Sequence, residues 1–221
     1  MRTAIQEYLD DIKQDLFRMA GMVNFAIKSA VEALKENDLV DAKRIKGEDK
    51  NINELRWEIE EKCINLIATQ QPVASDLREL IAVLNIITDL ERMGDHASGI
   101  AGIVLKLGSD KPVKQLIDIP RMAEIAEDMI ERSIQAYTTR DVRKARLIHT
   151  QDDDIDALYN QVIRELISIM IEDPSTITRC TYLIWVSHNL ERIGDRVTNI
   201  CERIIFLVTG EMIEDVNEPD N

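Results

Sequence analysis

The chain has 221 residues, with 27 Lys+Arg against 41 Asp+Glu, a formal net charge of −14. Only 4% of residues are aromatic, and there are 8 Gly and 5 Pro. Such sparse turn-formers and β-formers argue against sandwiches and barrels. Hydrophobic residues at 45% suffice to build a core, so the chain is not disordered. The acidic balance disfavours a nucleic-acid binder, which needs clustered bases to neutralise phosphates. It also disfavours simple electrostatic docking onto anionic lipid.

The N-terminus, MRTAIQEYLDDIKQDLF, has no apolar core of a signal peptide and no cleavage site. No stretch approaches ~18 uncharged apolar residues, so no transmembrane helix is expected. Cys63, Cys180 and Cys201 are odd in number and lack a C-x-x-C spacing. They read as buried hydrophobes in a reducing cytoplasm rather than as disulfides or a thiolate zinc site.

In chain order the pattern is helical almost throughout. Asn37-Asp38 breaks the first segment, with Asp38 as an N-cap. Pro72 separates the second helix from the third. Residues 108–112, Gly-Ser-Asp-Lys-Pro, form the strongest loop. Pro120 fits the first turn of a fourth helix. Arg140-Asp141 starts a fifth, Asp173-Pro174 reads as the N-cap and N1 of a sixth, and Gly210 ends it. The expected fold is all-α: six long helices, arranged as two tandem three-helix bundles.

An internal repeat supports that division. Shifting by 103 lays Asp38, Ala42, Ile45, Asp49, Ile52 and Leu55 on Asp141, Ala145, Ile148, Asp152, Ile155 and Leu158. Further on the shift is 100, and DLERMGD (residues 89–95) lies on NLERIGD (residues 189–195). A period near one hundred residues exceeds that of solenoids and marks a duplicated domain. The expected boundaries are residues 1–109, 110–210 and an acidic, disordered tail at 211–221, which carries five acids and no base.

The chemical signal lies in acids that interrupt apolar stripes. Ile45, Asp49, Ile52 and Ile59 share one helical face, as do Ile148, Asp152, Ile155 and Val162. Asn53 and Asp156 follow one turn on. The third helix has a seam through Leu84, Ile87, Glu91, Gly94 and Ser98; the sixth runs through Ile184, Ser187, Glu191, Gly194 and Thr198. Asp95 and Asp195 stand at i+4 from the two glutamates, ~5–6 Å away at Cβ. The seam becomes small just there, so backbones can approach or a cluster can be accommodated.

An unpartnered buried carboxylate costs several kcal/mol. Arg92 and Arg192 are possible partners, but position i+1 points to another side of the helix. Hard cations are the alternative, since oxygen donors suit Mg, Mn, Ca or iron. With antiparallel helices, Asp49 and Asn53 face Glu91 and Asp95; Asp152 and Asp156 face Glu191 and Asp195. Acids at i,i+4 also commonly mark a solvated helix face, and spacing alone leaves both readings open. His96, His149 and His188 have no repeated counterpart and read as structural or exposed, with His96 placed to support Asp95.

At LERMGDHASGIA and LERIGDRVTNI the sequence resembles the PhoU family, and the resemblance spans nearly the whole chain. The run PVASDLRELIAVLNIITDLERMGDHA (residues 72–97) is especially similar to that family's first repeat. The resemblance implies two three-helix bundles and a homodimer. It implies multinuclear clusters of iron, zinc or manganese on the bundle surface, whereas the seam predicts burial. Carried over, the first site uses Asp49, Glu91 and Asp95, with Asn53 where a second acid is expected. The second uses Asp152, Asp156, Glu191 and Asp195. The resemblance further implies a cytoplasmic negative regulator of phosphate uptake and the phosphate-starvation response, linking the phosphate ABC transporter ATPase to a sensor histidine kinase, without catalytic turnover. It implies contact with the membrane only through those partners. A metal-free helical scaffold is one alternative. A ferritin-like di-metal protein is another, but no His lies three residues after a Glu.

Overall fold

The structure is a computed structural model that describes residues 2–108, 110 and 112–211. The described residues form six long helices and no strand: α1 (Arg2–Glu36), α2 (Leu39–Gln70), α3 (Ser75–Leu107), α4 (Asp118–Thr139), α5 (Val142–Glu172) and α6 (Ile177–Thr209). Residues 212–221, where most of the expected tail falls, lie outside the described residues, as do two positions of the loop at 108–112.

The breaks follow local chemistry. The Asp38 carboxylate accepts from the Val40 and Asp41 amides and starts α2. Asp141 accepts from the Lys144 amide and starts α5. The residues before these caps, Asn37 and Arg140, take the left-handed conformation that ends a helix, at φ 55° and 53°. One expected boundary shifts. Asp173 caps a short 3-10 turn, Pro174–Thr176, rather than α6 itself, which begins at Ile177. Asp173 accepts from the Ser175 amide, and the tighter turn uses up Pro174 before the α-helix begins.

Each of α1, α2 and α3 packs against the other two, and α4, α5 and α6 do the same. α3 with α6, and α1 with α4, join the halves. Leu16, Ile27, Ile59 and Leu90 in the first half, and Met129, Ile155, Leu166 and Leu190 in the second, are wholly buried. Each such side chain contributes ~1.5–3 kcal/mol of transfer free energy.

α3 and α6 run antiparallel. Asn199 donates to the Asp89 carboxylate at 3.1 Å, and His96 Nδ1 lies 2.9 Å from Asn189 Oδ1. Arg196 pairs with Asp89 at 3.5 Å. Under the 100-residue shift, Asp89 answers to Asn189 and His96 to Arg196, so the two contacts exchange under the repeat's symmetry. Gly99 makes room for one of them: a Cβ there would stand 3.1 Å from Asn189 Oδ1. His96 therefore ties the halves together.

Candidate metal centre

The helical period that turns Ile45 and Ile52 into the core also carries Asp49 inward, beneath α3. Ile148 and Ile155 do the same for Asp152 beneath α6. Gly94 and Gly194 form the floor that each carboxylate meets. A Cβ at Gly94 would stand 3.6 Å from Asp49 Oδ1 and 3.0 Å from Ile52 Cδ1. At Gly194 it would fall on Asp152 Oδ1 itself, with Ile155 Cδ1 at 3.1 Å. The small residues on the seam thus accommodate an acid from the neighbouring helix.

Asp49 faces Glu91 and Asp95, whose charges, after burial itself, push its carboxyl above the usual range. Burial raises Asp152 to about 7, reinforced by Asp156, Asp195 and Glu191. Asp156 is raised by burial and then by Asp195 and Asp153. Glu191 is raised by burial and Asp195, against opposing pulls from Arg192 and His188. The sequence-predicted carboxylates therefore form two groups: Asp49, Glu91 and Asp95 between α2 and α3, and Asp152, Asp156, Glu191 and Asp195 between α5 and α6, while Asn53 stands one turn on from Asp49 along α2.

Both groups occupy half-buried rims rather than the sealed interior that the seam predicts. The Asp49, Asn53 and Asp152 side chains reach inward, while Asp95 and Asp156 are exposed. The physical reason is lateral: Ile45 and Ile52, and Ile148 and Ile155, are buried on either side of the two inner aspartates, while Asp95 and Asp156 stand on the exposed flank of the contact.

The arginines differ from expectation. Arg192 reaches Asp195 at 3.0 Å and lies 3.4 Å from Glu191; Arg92 reaches Asp95 at 3.5 Å and lies 3.6 Å from Glu91. Position i+1 does project to another side, but a long guanidinium stem swings back to the two carboxylates of its own helix. Half-exposed ion pairs of this kind are weak. His188 Nδ1 lies 3.5 Å from Glu191, a neighbour with no counterpart in the first half. The sequence signal for it was only its i−3 spacing from Glu191.

The inner oxygens still lack partners. Asp49 Oδ1, Asn53 Oδ1 and Asp152 Oδ1 are buried and make no hydrogen bond, whereas Glu191 Oε2, also buried, has Arg192 Nε at 3.4 Å and His188 Nδ1 at 3.5 Å. An orphaned buried carboxylate oxygen is costly. The three orphaned atoms belong to residues that the sequence singled out, and an all-oxygen donor set fits a hard cation. Among the described residues, no three His, Cys, Asp or Glu side chains converge tightly enough to enclose an ion. The oxygens are grouped and unsatisfied, but a cation would have to draw them together.

A duplicated all-helical protein with an acid-lined rim in each half is a narrow class. Two PhoU domains are recognised in the chain, over residues 16–104 and 119–204. It is 40% identical to the phosphate-specific transport system accessory protein PhoU homolog of Clostridium acetobutylicum, over 96% of this chain and 98% of the relative. It is 37% identical to the homolog from Rhizobium meliloti, over 94% of this chain and 88% of the relative. The crystal structure of PhoU from Pseudomonas aeruginosa superposes with a TM-score of 0.88 at 33% identity, covering 93% of this chain and 99% of that one. The regulatory protein PhoU from Streptococcus pneumoniae gives 0.88 at 31%, covering 95% and 99%. The chain belongs to the PhoU family.

Proposed function

We propose that this chain is a cytoplasmic regulatory adaptor of phosphate transport, a negative regulator of uptake and of the starvation response that links the phosphate ABC transporter ATPase to the sensor histidine kinase. The observation that carries the reading is end-to-end similarity to relatives named as transport accessory proteins rather than as enzymes. Among the described residues no helix is long and apolar enough to cross a membrane, which agrees with a role exercised through partners. Residues 1–109 and 110–210 act as one unit each, and two copies of the chain form the working dimer.

Asp49, Asn53, Glu91 and Asp95 would hold metal in the first unit; Asp152, Asp156, Glu191 and Asp195 would hold it in the second. The support is the set of orphaned oxygens and the raised carboxyls. A bound cation would supply to Asp49 and Asp152 the positive charge that Arg92 and Arg192 bring to the neighbouring carboxylates. Iron, manganese or zinc would then cross-link α2 to α3 and α5 to α6.

Two measurements test this. A deletion strain should express phosphate-starvation genes in phosphate-rich medium; unaltered expression sinks the adaptor reading. Protein purified without chelator should contain iron, manganese or zinc by elemental analysis, and Glu191→Ala with Asp195→Ala should remove the second unit's share. Equal metal content in the double variant refutes the site assignment.

A further inference from the structure

In an acidic chain, one exposed helix face is basic. Lys43, Lys46 and Lys50 follow one another on α2 at i, i+3 and i+7, with Trp57 seven residues further on. The face runs ~21 Å, at ~1.5 Å per residue. All three lysines are exposed, and among the described residues none makes an ion pair or hydrogen bond. Two acids that flank the lysines are held by Arg44, Asp41 at 2.6 Å and Glu48 at 2.6 Å. Glu54 is the one acid on the face between Lys50 and Trp57. Gly47, between the lysines, leaves open space where a side chain would stand.

The face also has an apolar anchor. Trp57 is 64% exposed, and the Arg56 guanidinium stacks over its ring at 4.9 Å. That stacking holds the indole outward before any partner arrives. Tryptophan is the side chain most enriched among residues that carry interface binding energy.

The duplication sharpens the point. The positions answering to Lys43, Lys46, Lys50 and Trp57 are Arg146, His149, Asp153 and Asn160. His149 is already turned toward Glu202 at 3.8 Å. The basic, tryptophan-bearing face therefore exists in one half only. It gives a nearly symmetric molecule one distinguishable side, and Asn53 of the first candidate metal centre borders it.

We propose that the Lys43–Lys46–Lys50–Trp57 face of α2 is a docking surface for an acidic protein segment that offers an apolar seat to the indole. The partner of this chemistry belongs to the membrane transport complex, so the inference rests on the adaptor reading above. Charge complementarity chooses the occupant. A flat anionic bilayer meets the whole −14 rather than the lysines alone, whereas a local acidic segment can meet the lysines by themselves.

The test is binding of the full-length protein to the purified phosphate transport complex from the same organism, held in phosphatidylcholine nanodiscs. Lys43→Glu/Lys46→Glu/Lys50→Glu should raise Kd at least tenfold and flatten its dependence on salt, because the steering charges are gone. Trp57→Ala should raise Kd and leave the salt dependence unchanged. A charge-matched control, Lys28→Glu/Lys35→Glu/Lys106→Glu, should bind within twofold of wild type. Circular dichroism and thermal midpoints check that each variant folds, and the triple Lys→Gln variant replaces the reversal if it does not. Wild-type binding with no change in the lysine variants overturns the docking face and leaves the adaptor reading standing. No binding by wild type overturns both. Lysine-dependent binding to vesicles with 30% phosphatidylglycerol, with complex binding intact, makes the face a membrane contact and overturns the proposal.

Discussion

The Asp152 carboxylate occupies the space that a side chain at position 194 would need, so glycine and acid are fitted to each other across the α5–α6 contact. The equivalent pair, Gly94 and Asp49, is looser by comparison: an added Cβ would meet Asp49 Oδ1 at ordinary contact distance and press only on Ile52. Alanine gains ~1 kcal/mol of helix propensity over glycine at either site. Overpacking opposes it by ~1–3 kcal/mol. Gly194→Ala should therefore lower the urea midpoint of the metal-free protein and push Asp152 off its site. Gly94→Ala should change stability by less than about 1 kcal/mol. Equal midpoints for the two variants would show that the Asp152–Gly194 fit carries no strain.

Proton linkage at Asp152 has a definite sign. Its carboxyl sits near 7 in the folded protein against an ordinary 3.8. Between those values the folded state holds a proton that the unfolded state has released. The unfolded chain binds fewer protons there, so the stability contributed by Asp152 falls as pH rises from about 4 to about 7. Asp152→Asn removes both the charge and the slope. Urea titrations of chelator-treated protein should show the variant's advantage over wild type growing across that window and levelling above it. With manganese present at pH 7.5 the order should reverse, because bound metal stabilises the wild type and the variant has lost a ligand. A pH-independent difference between the two proteins contradicts the assignment.

The stripes interrupted at Asp49 and Asp152 were legible because helical period alone decides which residues share a face. The cap at Asp38 was legible for a similar reason: the groups it satisfies lie two or three residues away. Arg92 and Arg192 were not, since sequence spacing fixes where Cβ points and not where a flexible guanidinium ends. The pairs Asp89–Arg196 and His96–Asn189 were hidden for a different reason. Which helix of one half meets which helix of the other is a tertiary outcome, and the repeat shows that positions correspond without showing that they touch. Depth also escaped the pattern: a stripe says inward, but not how close to the rim the contact ends.

The three cysteines make a simpler prediction. Cys63, Cys180 and Cys201 are fully buried. Burial pushes the Cys63 and Cys201 thiols up to about 12, with Glu60 and Glu202 adding to it. Only the thiolate is reactive. Native protein at pH 8 should leave an aromatic disulfide reagent unreacted over many minutes, and all three thiols should react at once in denaturant. Fast labelling of even one thiol in the native state would mean local opening of its helix.

Glu79 offers a test of how the halves are held. It lies on α3, is 3% exposed, and accepts from Lys13 of α1 at 2.9 Å. Across the junction it accepts from Arg140 at 2.7 Å and from the Tyr137 hydroxyl at 3.4 Å. Arg140 is the left-handed residue that ends α4, so a helix terminus of the second half is fastened to a buried acid of the first. Removing that acid leaves the buried Tyr137 hydroxyl and the Arg140 guanidinium without it, and Lys13 with Asp10 at 3.7 Å. Loss of one partner from a fully buried pair costs ~3–5 kcal/mol, and the half-exposed guanidinium lowers this to roughly 2–3 kcal/mol here. Glu79→Gln should cost less than Glu79→Ala, because the amide still accepts from Tyr137. In a double-mutant cycle with Arg140→Met, the Glu79–Arg140 coupling should reach about 1 kcal/mol, more than an exposed pair such as Glu32–Lys35 gives. Hydrogen exchange locates the effect. In Glu79→Ala the amides near the end of α4 and the start of α3 should lose protection together, while those of α2 and α5 around the acid rims keep theirs. Uniform loss across all six helices would mean that Glu79 supports the global core and does not fasten one half to the other.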